Sequence, residues 1–526
     1  MPHVGRDGIV VSTRAPEATG DLALEPDLLE RLRDAGPVVR LRIAVRVPAD
    51  IAGTLALVVL ALCSLMTVVA ASGQKTILVP QSPVAFPDWL AGPLHRLTEQ
   101  VAIRATPTAY AFSFVLIAMA VAYAVAVACA DALDRRVAIG AIVALHAIWL
   151  LAPLMPLTDV FNYLGYARLG TLHGLNPYAH GIAAAPHDPV VPFTTWRYLH
   201  SPYGPLFTLA SYALGPLPLP VAYWLLKAAT VAASLGCVAL LWRCARQLGR
   251  APLRPVLLYA ANPLVLAYGL GGFHNDFFVL LGTLGAITLL LDRREGRAGG
   301  ALAAAIAIKA SAGILLPFLL LGARRRARLA AGVAAVALPV AAIAFAVFGA
   351  ALPDLGDQSS LLSSFSVPNA LAQLTLLGGA PSWLLALAAG LALAAVALLA
   401  LHTWRRRIDW LTAGGWAVLA LLLSLAWLQP WYVMWLLPLA ALGSSARLRR
   451  ATLVLSAYLL LTFMPATGVL LADVNYQPLD GAVGCASVKR MRELQWGPRS
   501  RSARISRPCG STPFEGPSRS IATTRS

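Results

Sequence analysis

Charge is scarce in this chain. Only 13% of its 526 residues are Asp, Glu, Lys or Arg, while 58% are hydrophobic. With a mean hydropathy of +0.69, that balance excludes an ordinary soluble protein. Cysteine is sparse too. Of six cysteines, Cys63, Cys129 and Cys237 lie within apolar runs and none forms a CxxC pair, so neither a disulfide framework nor a zinc site is expected. There is no Walker loop and no GxGxxG opening a helix in a βαβ setting, so nucleotide-dependent chemistry has no visible place. No internal repeat of the kind common in transporters is present either.

What the chain has instead is a series of apolar runs. They fall at about residues 51–72, 107–130, 137–156, 219–242, 253–270, 274–291, 329–350, 382–402, 410–428, 431–443 and 450–471. Many reach the roughly 20 residues needed to cross a hydrocarbon core of about 30 Å. The net charge of +18 would suit a nucleic-acid partner, but its placement argues otherwise. Arginines cluster in short loops between the runs: Arg135-Arg136, Arg243 to Arg254, Arg293 to Arg297, Arg324 to Arg328, Arg405 to Arg407 and Arg447 to Arg450. This is the positive-inside pattern of cytoplasmic loops. Membrane lipid is therefore an expected partner, and nucleic acid is not.

Taking residues 1–48 as a cytoplasmic tail, the span count puts 157–202 outside as the longest outer loop. Residues 203–216, with Gly204, Pro205 and Gly215-Pro216, are too short to cross and read as a membrane-dipping half-helix. Residues 298–321 are flanked by arginine clusters on both sides, so a hairpin broken near Lys309 to Gly313 keeps both clusters inside. Residues 49–473 form the membrane domain. From about Val474 to Ser526 the chain turns rich in Arg, Ser, Pro and Gly and reads as a basic, disordered tail. Out-of-frame reading of a GC-rich gene is one origin for it; an intact frame in independent reads of both strands would exclude that origin.

The chemistry-bearing residues lie where apolar runs end. Thr158-Asp159-Val160-Phe161-Asn162-Tyr163 follows the third run and leads to Asn176-Pro177-Tyr178. Asp159 at that edge suits a general base on a lipid-linked substrate. The plainer alternative is helix capping by Thr158 or Asp159. Gly271-Gly272-Phe273-His274-Asn275-Asp276 forms a second outer cluster, able to grip a phosphate, a sugar hydroxyl or a cation; a capped turn is again the alternative. Lys309 sits mid-way along an apolar segment and needs an anion there, either a lipid phosphate or an acid such as Asp276. In the long outer loop Arg197 could bind phosphate, and aromatic residues there could stack on sugars. His173, His180 and His187 lack metal-ligand spacing and read as surface residues. Gln429-Pro430-Trp431-Tyr432 is a third outer feature, which an interfacial aromatic belt would also explain.

Together with Ser201-Pro202-Tyr203-Gly204-Pro205-Leu206, Ala261-Asn262-Pro263-Leu264 and Ile308-Lys309-Ala310, these motifs resemble, in order and in placement, a known family. It is that of the actinobacterial polyprenol-phosphate-mannose-dependent α-1,6-mannosyltransferases, of the GT-C superfamily. The likeness runs from about residue 51 to 471. It implies an all-α polytopic membrane protein, a GT-C-type bundle of about 11–13 transmembrane or re-entrant helices with a large outer loop. It further implies inverting transfer of mannose from a β-linked polyprenyl phosphate to a glycolipid or oligomannoside acceptor in lipomannan assembly, at the extracytoplasmic face of the cell membrane. Asp159 matches the family's base. Lys309, His274 and Arg197 would hold the donor phosphate. Tyr163, Asn176, Tyr178, Tyr203, Asn275, Asp276, Gln429, Trp431 and Tyr432 would line the substrate site. The family contains metal-dependent and metal-independent members, so a divalent cation stays open. Transfer of another sugar, such as arabinose or glucose, and transport of lipid-linked sugars are the competing readings.

Overall fold

The computed structural model describes residues 47–73, 78–79, 87–95, 105–155, 157–353, 356, 361–375, 377, 379–474, 489–490 and 493. Asp354, Asp357 and Gln358 of a second sizeable outer loop expected at 351–381, residues 1–46 of the expected N-terminal tail, and nearly all of the basic tail beyond Val474 lie outside the described residues. Among the described residues there are helices and no strand. Bilayer physics demands this: a spanning segment must satisfy its own backbone polar groups, and a helix does so within one segment.

The first helices are α1 (Ala49–Ser72), α2 (Ala105–Ala128), α3 (Arg135–Leu150), α4 (Asp159–Leu172), α5 (Pro205–Ser211) and α6 (Leu219–Gln247). They are followed by α7 (Leu253–Ala260), α8 (Asp276–Leu291), α9 (Glu295–Ile308), α10 (Leu316–Gly322) and α11 (Arg326–Phe348). The last are α12 (Val367–Leu374), α13 (Ser382–Trp404), α14 (Trp410–Ser424), α15 (Val433–Leu442), α16 (Ala446–Phe463) and α17 (Pro465–Asp473). Five are long and apolar enough to cross a membrane, and seven segments are if two bent pairs count as one span each. Among the described residues there are also five shorter apolar helices. The protein is an all-α polytopic membrane protein.

Proline sets several of the boundaries. The predicted run 137–156 stops being helical at Leu150, shortly before Pro153, and Asp134 caps its start by accepting from the N–H groups of Arg136 and Val137. The run 253–270 bends by 48° between α7 and the π-helical turn Leu264–Leu270, where Pro263 lacks a donor. The run 450–471 bends by 56° ahead of Pro465.

The segment around Lys309 doubles back. Helix α9 ends at Lys309, whose backbone is extended (φ −153°, ψ 121°), and a 3-10 turn at Ala310–Leu315 leads into α10. At the opposite end, the buried Glu295 carboxylate accepts from the N–H groups of Arg324 and Arg325, at 2.7 and 3.1 Å. The two ends of the segment therefore meet, and Lys309 stands at a hairpin tip. Helix α11 then packs along α9 with backbones in contact. A Cβ at Gly332 would overlap the Gly296 carbonyl, so only glycine fits there.

The arginine loops gather at one end of the bundle. Arg254 pairs with Asp131 and Arg243 with Asp292, both at 2.7 Å. Arg250 donates to the Leu442 and Gly443 carbonyls at 2.6 and 2.9 Å, and Ser444 donates to Asp409 at 2.6 Å. Motif-bearing turns occupy the other end. Helices α11 and α13 expose most of their apolar surface and bury almost none of it against the rest of the protein. That is the surface a bilayer covers.

Candidate active site

Helix α4 carries Asp159 as its first residue, and it lies on an aromatic cushion. Phe161 stacks on Phe193 at 5.0 Å and on Tyr223 at 5.8 Å, and Trp89 meets all three edge-on. Such pairs contribute about 0.5–1.5 kcal/mol each beyond their buried area. This packing fixes the helix start against the turn between the π-helical segment and α8. The Tyr163 hydroxyl accepts from the Asn275 N–H at 3.3 Å, and Met155 N–H donates to the Gly271 carbonyl at 2.9 Å.

Thr158 occupies the N-cap position of α4, but neither it nor Asp159 makes a side-chain capping bond; the Thr158 hydroxyl bonds Thr195 instead. Asn275 occupies the N-cap position of α8, likewise without a capping bond. The polar side chains at both helix starts are thus available for something other than capping.

Asp159 Oδ2 lies 3.4 Å from His274 Nδ1. The carboxylate is 20% exposed and the imidazole 1%, so the pair has one open side. The His274 ring lies flat on Trp431, with centroids 3.7 Å apart and planes at 6°. The residue before it, Phe273, is buried with φ +51°, a conformation costly for a bulky side chain. Around this pair sit buried polar atoms with no partner among the described residues: His274 Nε2, both amide atoms of Asn275, Asn162 Oδ1 and Trp431 Nε1. Leaving such atoms unpaired costs roughly 1–3 kcal/mol each, a cost that a polar ligand could relieve.

Next to it, Lys309 Nζ contacts Asp276 Oδ1 at 2.8 Å, and Trp435 Nε1 donates to the same oxygen at 2.8 Å. Lys309 also stands over the Tyr432 and Trp435 rings, at 4.9 and 5.0 Å. Asp276 is 2% exposed and Lys309 18%. Of the two anions the sequence allowed for Lys309, the protein itself supplies Asp276. The lysine stands at the tip of the hairpin that the flanking arginine clusters predicted, level with Asp276. Trp435 carried no sequence signal, because a tryptophan within an apolar helix looks the same whether it packs or donates.

The remaining predicted residues take part in the packing of the outer loop and its neighbouring turns. Tyr203 meets Tyr163 edge-on at 4.8 Å, and the Tyr178 hydroxyl donates to the Tyr203 carbonyl at 2.8 Å. Asn176 donates to the Phe348 carbonyl at 2.7 Å and accepts from the Tyr178 N–H, which ties the outer loop to the end of α11. Gly204 N–H donates to the Ile308 carbonyl at 2.9 Å, and a Cβ on Gly204 would overlap the Ala307 carbonyl. Gln429 is buried ahead of the turn that carries Trp431 and Tyr432. Arg197 donates to the Thr194 carbonyl at 3.2 Å within its own loop. Among the described residues no three His, Cys, Asp or Glu side chains gather as a metal site would need.

Sequence reading missed the clamp that holds the outer loop. Arg168 Nε lies 2.9 Å from Asp188, and its Nη1 donates to the Gly215 and Leu217 carbonyls. His173 is at the surface as expected, but its ring is tied to Asp188 at 2.7 Å. Burial pushes the Asp188 carboxyl up, yet hydrogen bonds from Arg168, His173 and the Val190 N–H outweigh burial and leave it below the usual carboxylate range. The clamp's contribution is therefore complete above the unfolded carboxyl pKa of about 3.9 and is lost as pH falls through the lower folded value. Protease sensitivity of residues 173–200 should stay flat from neutral pH to about 4 and rise below it. In Asp188→Asn, sensitivity should be high throughout. A wild-type loop already loosened well above pH 4 would contradict the clamp.

Comparison with known proteins matches the chain to an existing family. The α-(1→6)-mannopyranosyltransferase N-terminal domain matches residues 45–325, and the MptB C-terminal domain matches residues 368–484. The α-(1→6)-mannopyranosyltransferase A of Mycobacterium tuberculosis is 32% identical over 385 residues, which is 63% of this chain and 72% of that protein. The Corynebacterium glutamicum protein of the same name is 28% identical over 194 residues, 36% of this chain and 39% of its own. No solved structure matches the chain. An all-helical membrane bundle with these matches defines a membrane glycosyltransferase of the GT-C kind, and its chemistry is mannosyl transfer. The chain belongs to the α-(1→6)-mannopyranosyltransferase family.

Proposed function

We propose that this mannosyltransferase takes mannose from a polyprenyl phosphate carrier and passes it, with inversion, to a mannan or lipoglycan acceptor on the extracytoplasmic side, forming an α-1,6 bond. The observation that carries the reading is the Asp159–His274 pair, open on one side and surrounded by unpartnered buried polar atoms. Asp159 takes the proton of the acceptor hydroxyl as its oxygen attacks the anomeric carbon. The bond from that carbon to the phosphate oxygen breaks, and polyprenyl phosphate leaves with the electron pair. Lys309 and His274 lie close enough to Asp159 and Asp276 to receive the phosphate end of the donor. Sidedness is supported by the arginine loops at the far end of the bundle, since basic loops stay cytoplasmic. With no nucleotide motif in the chain, a lipid-carried donor supplies the activated sugar.

Membranes containing the protein should move radiolabelled mannose from synthetic polyprenyl phosphomannose to a short α-1,6-mannoside. The product should lose its label to an α-1,6-specific mannosidase. Transfer from a polyprenyl-linked arabinose or glucose, with none from the mannose donor, would sink the donor assignment. Label that appears only on acceptors presented inside sealed inverted vesicles would support the outer face; label confined to the arginine side would overturn it.

A further inference from the structure

Below the Lys309 hairpin, at the arginine end, a crevice of about 640 Å³ opens between α10, α11 and α13. That lies within the usual range for sites holding small organic molecules, roughly 300–1,000 Å³. Its walls include Leu320, Ala330, Ala400 and Leu401, with Arg326 and Trp404 also lining it. Trp404 is 67% exposed, as a tryptophan at the edge of a hydrocarbon core is. Arg405, Arg406 and Arg407 follow it directly, all exposed. Among the described residues no carboxylate pairs with Arg326 or with these three. Asp409, the nearest acid in sequence, is occupied by the Thr412 N–H and the Ser444 hydroxyl.

The charge pattern identifies the occupant. Apolar walls at membrane depth do not hold water, because nothing there can replace its hydrogen bonds. An acyl chain fits them. At the mouth of the same crevice stand unpaired guanidiniums, which favour a phosphate. On the other flank of the α11 start, Arg293, Arg294, Arg297 and Arg328 line a second crevice around the committed Glu295, adding positive potential to this end. Basic pockets between membrane helices on this face are suited to anionic headgroups.

We infer that this crevice is a binding site for an anionic phospholipid of the cytoplasmic leaflet, its chain lying between α10, α11 and α13 and its phosphate on Arg326 and Arg405. The bound lipid braces the return arm of the hairpin whose tip holds Lys309. This site lies away from Asp159 and does not depend on the identity of the sugar donor.

The test is native mass spectrometry of the full-length protein, titrated in detergent with phosphatidylglycerol, phosphatidylcholine or inorganic phosphate, alongside thermal melting. Phosphatidylglycerol should be retained preferentially and should raise the melting temperature, while inorganic phosphate at equal concentration should not. The Arg326→Gln/Arg405→Gln variant replaces exposed side chains and should remain folded; its preference should fall by roughly 5-fold for each arginine removed. Ala400→Trp, which fills the crevice, should lose retained lipid of either headgroup. Equal retention of the two lipids by the wild type would overturn the site. So would an unchanged preference in the double arginine variant, or a melting shift reproduced by inorganic phosphate alone.

Discussion

Asp159→Asn is expected to lower kcat for mannosyl transfer by about 10²- to 10⁴-fold, the usual worth of a positioned general base. The asparagine keeps the size of the side chain and can still approach His274, but it cannot accept the acceptor's proton. Stability should hardly change, because Asp159 makes no capping bond and is partly exposed beside a rigid Trp431–His274 stack. The donor KM should move little, since the lost interaction belongs to the transition state rather than to ground-state binding. The check is single-turnover transfer with the variant in membranes, its folding verified by melting temperature. Equal transfer by a folded Asp159→Asn would remove this carboxylate from the mechanism.

The second large effect concerns Lys309 and Asp276. Removing Lys309 as Lys309→Met leaves a carboxylate that is 2% exposed and, among the described residues, supported by the Trp435 N–H alone. Breaking a buried pair in this way costs about 3–5 kcal/mol. A double variant, Lys309→Met with Asp276→Leu, removes both charges and should regain most of that stability, because an apolar pair carries no desolvation cost. Transfer should not return with it if the ammonium receives the donor phosphate. With Asp276→Leu as the second single variant, the cycle separates the two roles: recovered melting with transfer lost in the double variant but retained in Asp276→Leu supports the phosphate role of Lys309, and recovery of both in the double variant would make Lys309 purely structural. Before the donor arrives, Asp276 would hold the lysine in position at the hairpin tip.

Much of this molecule is legible along the chain. Long apolar runs determined that it spans a membrane, because a helix needs about 20 such residues to cross and water offers them nothing in exchange. Arginine placement predicted a doubled-back segment at 298–321, and Glu295 joins the two ends of that segment by accepting from Arg324 and Arg325. Proline at 263 and 465 marks the bends. Motif order alone pointed to the family to which the chain belongs.

Other features were set only by the fold. The sequence allowed Thr158, Asp159 and Asn275 to be simple caps; only the positions of their side chains show that they are not, since capping depends on local dihedrals that neighbouring packing decides. Lys309 had two plausible anions, and the folded chain brings one of them, Asp276, from 33 residues away. Trp435 and the Arg168–Asp188–His173 clamp gave no sign in the sequence, because a hydrogen bond between distant residues leaves no period or spacing behind. By itself the sequence determined the solvent, the class of fold and the kinds of residue available for chemistry, all of which follow from local composition. The tertiary structure decided which of those residues meet, because contact at 3 Å depends on how separate helices pack and on nothing that a linear pattern records.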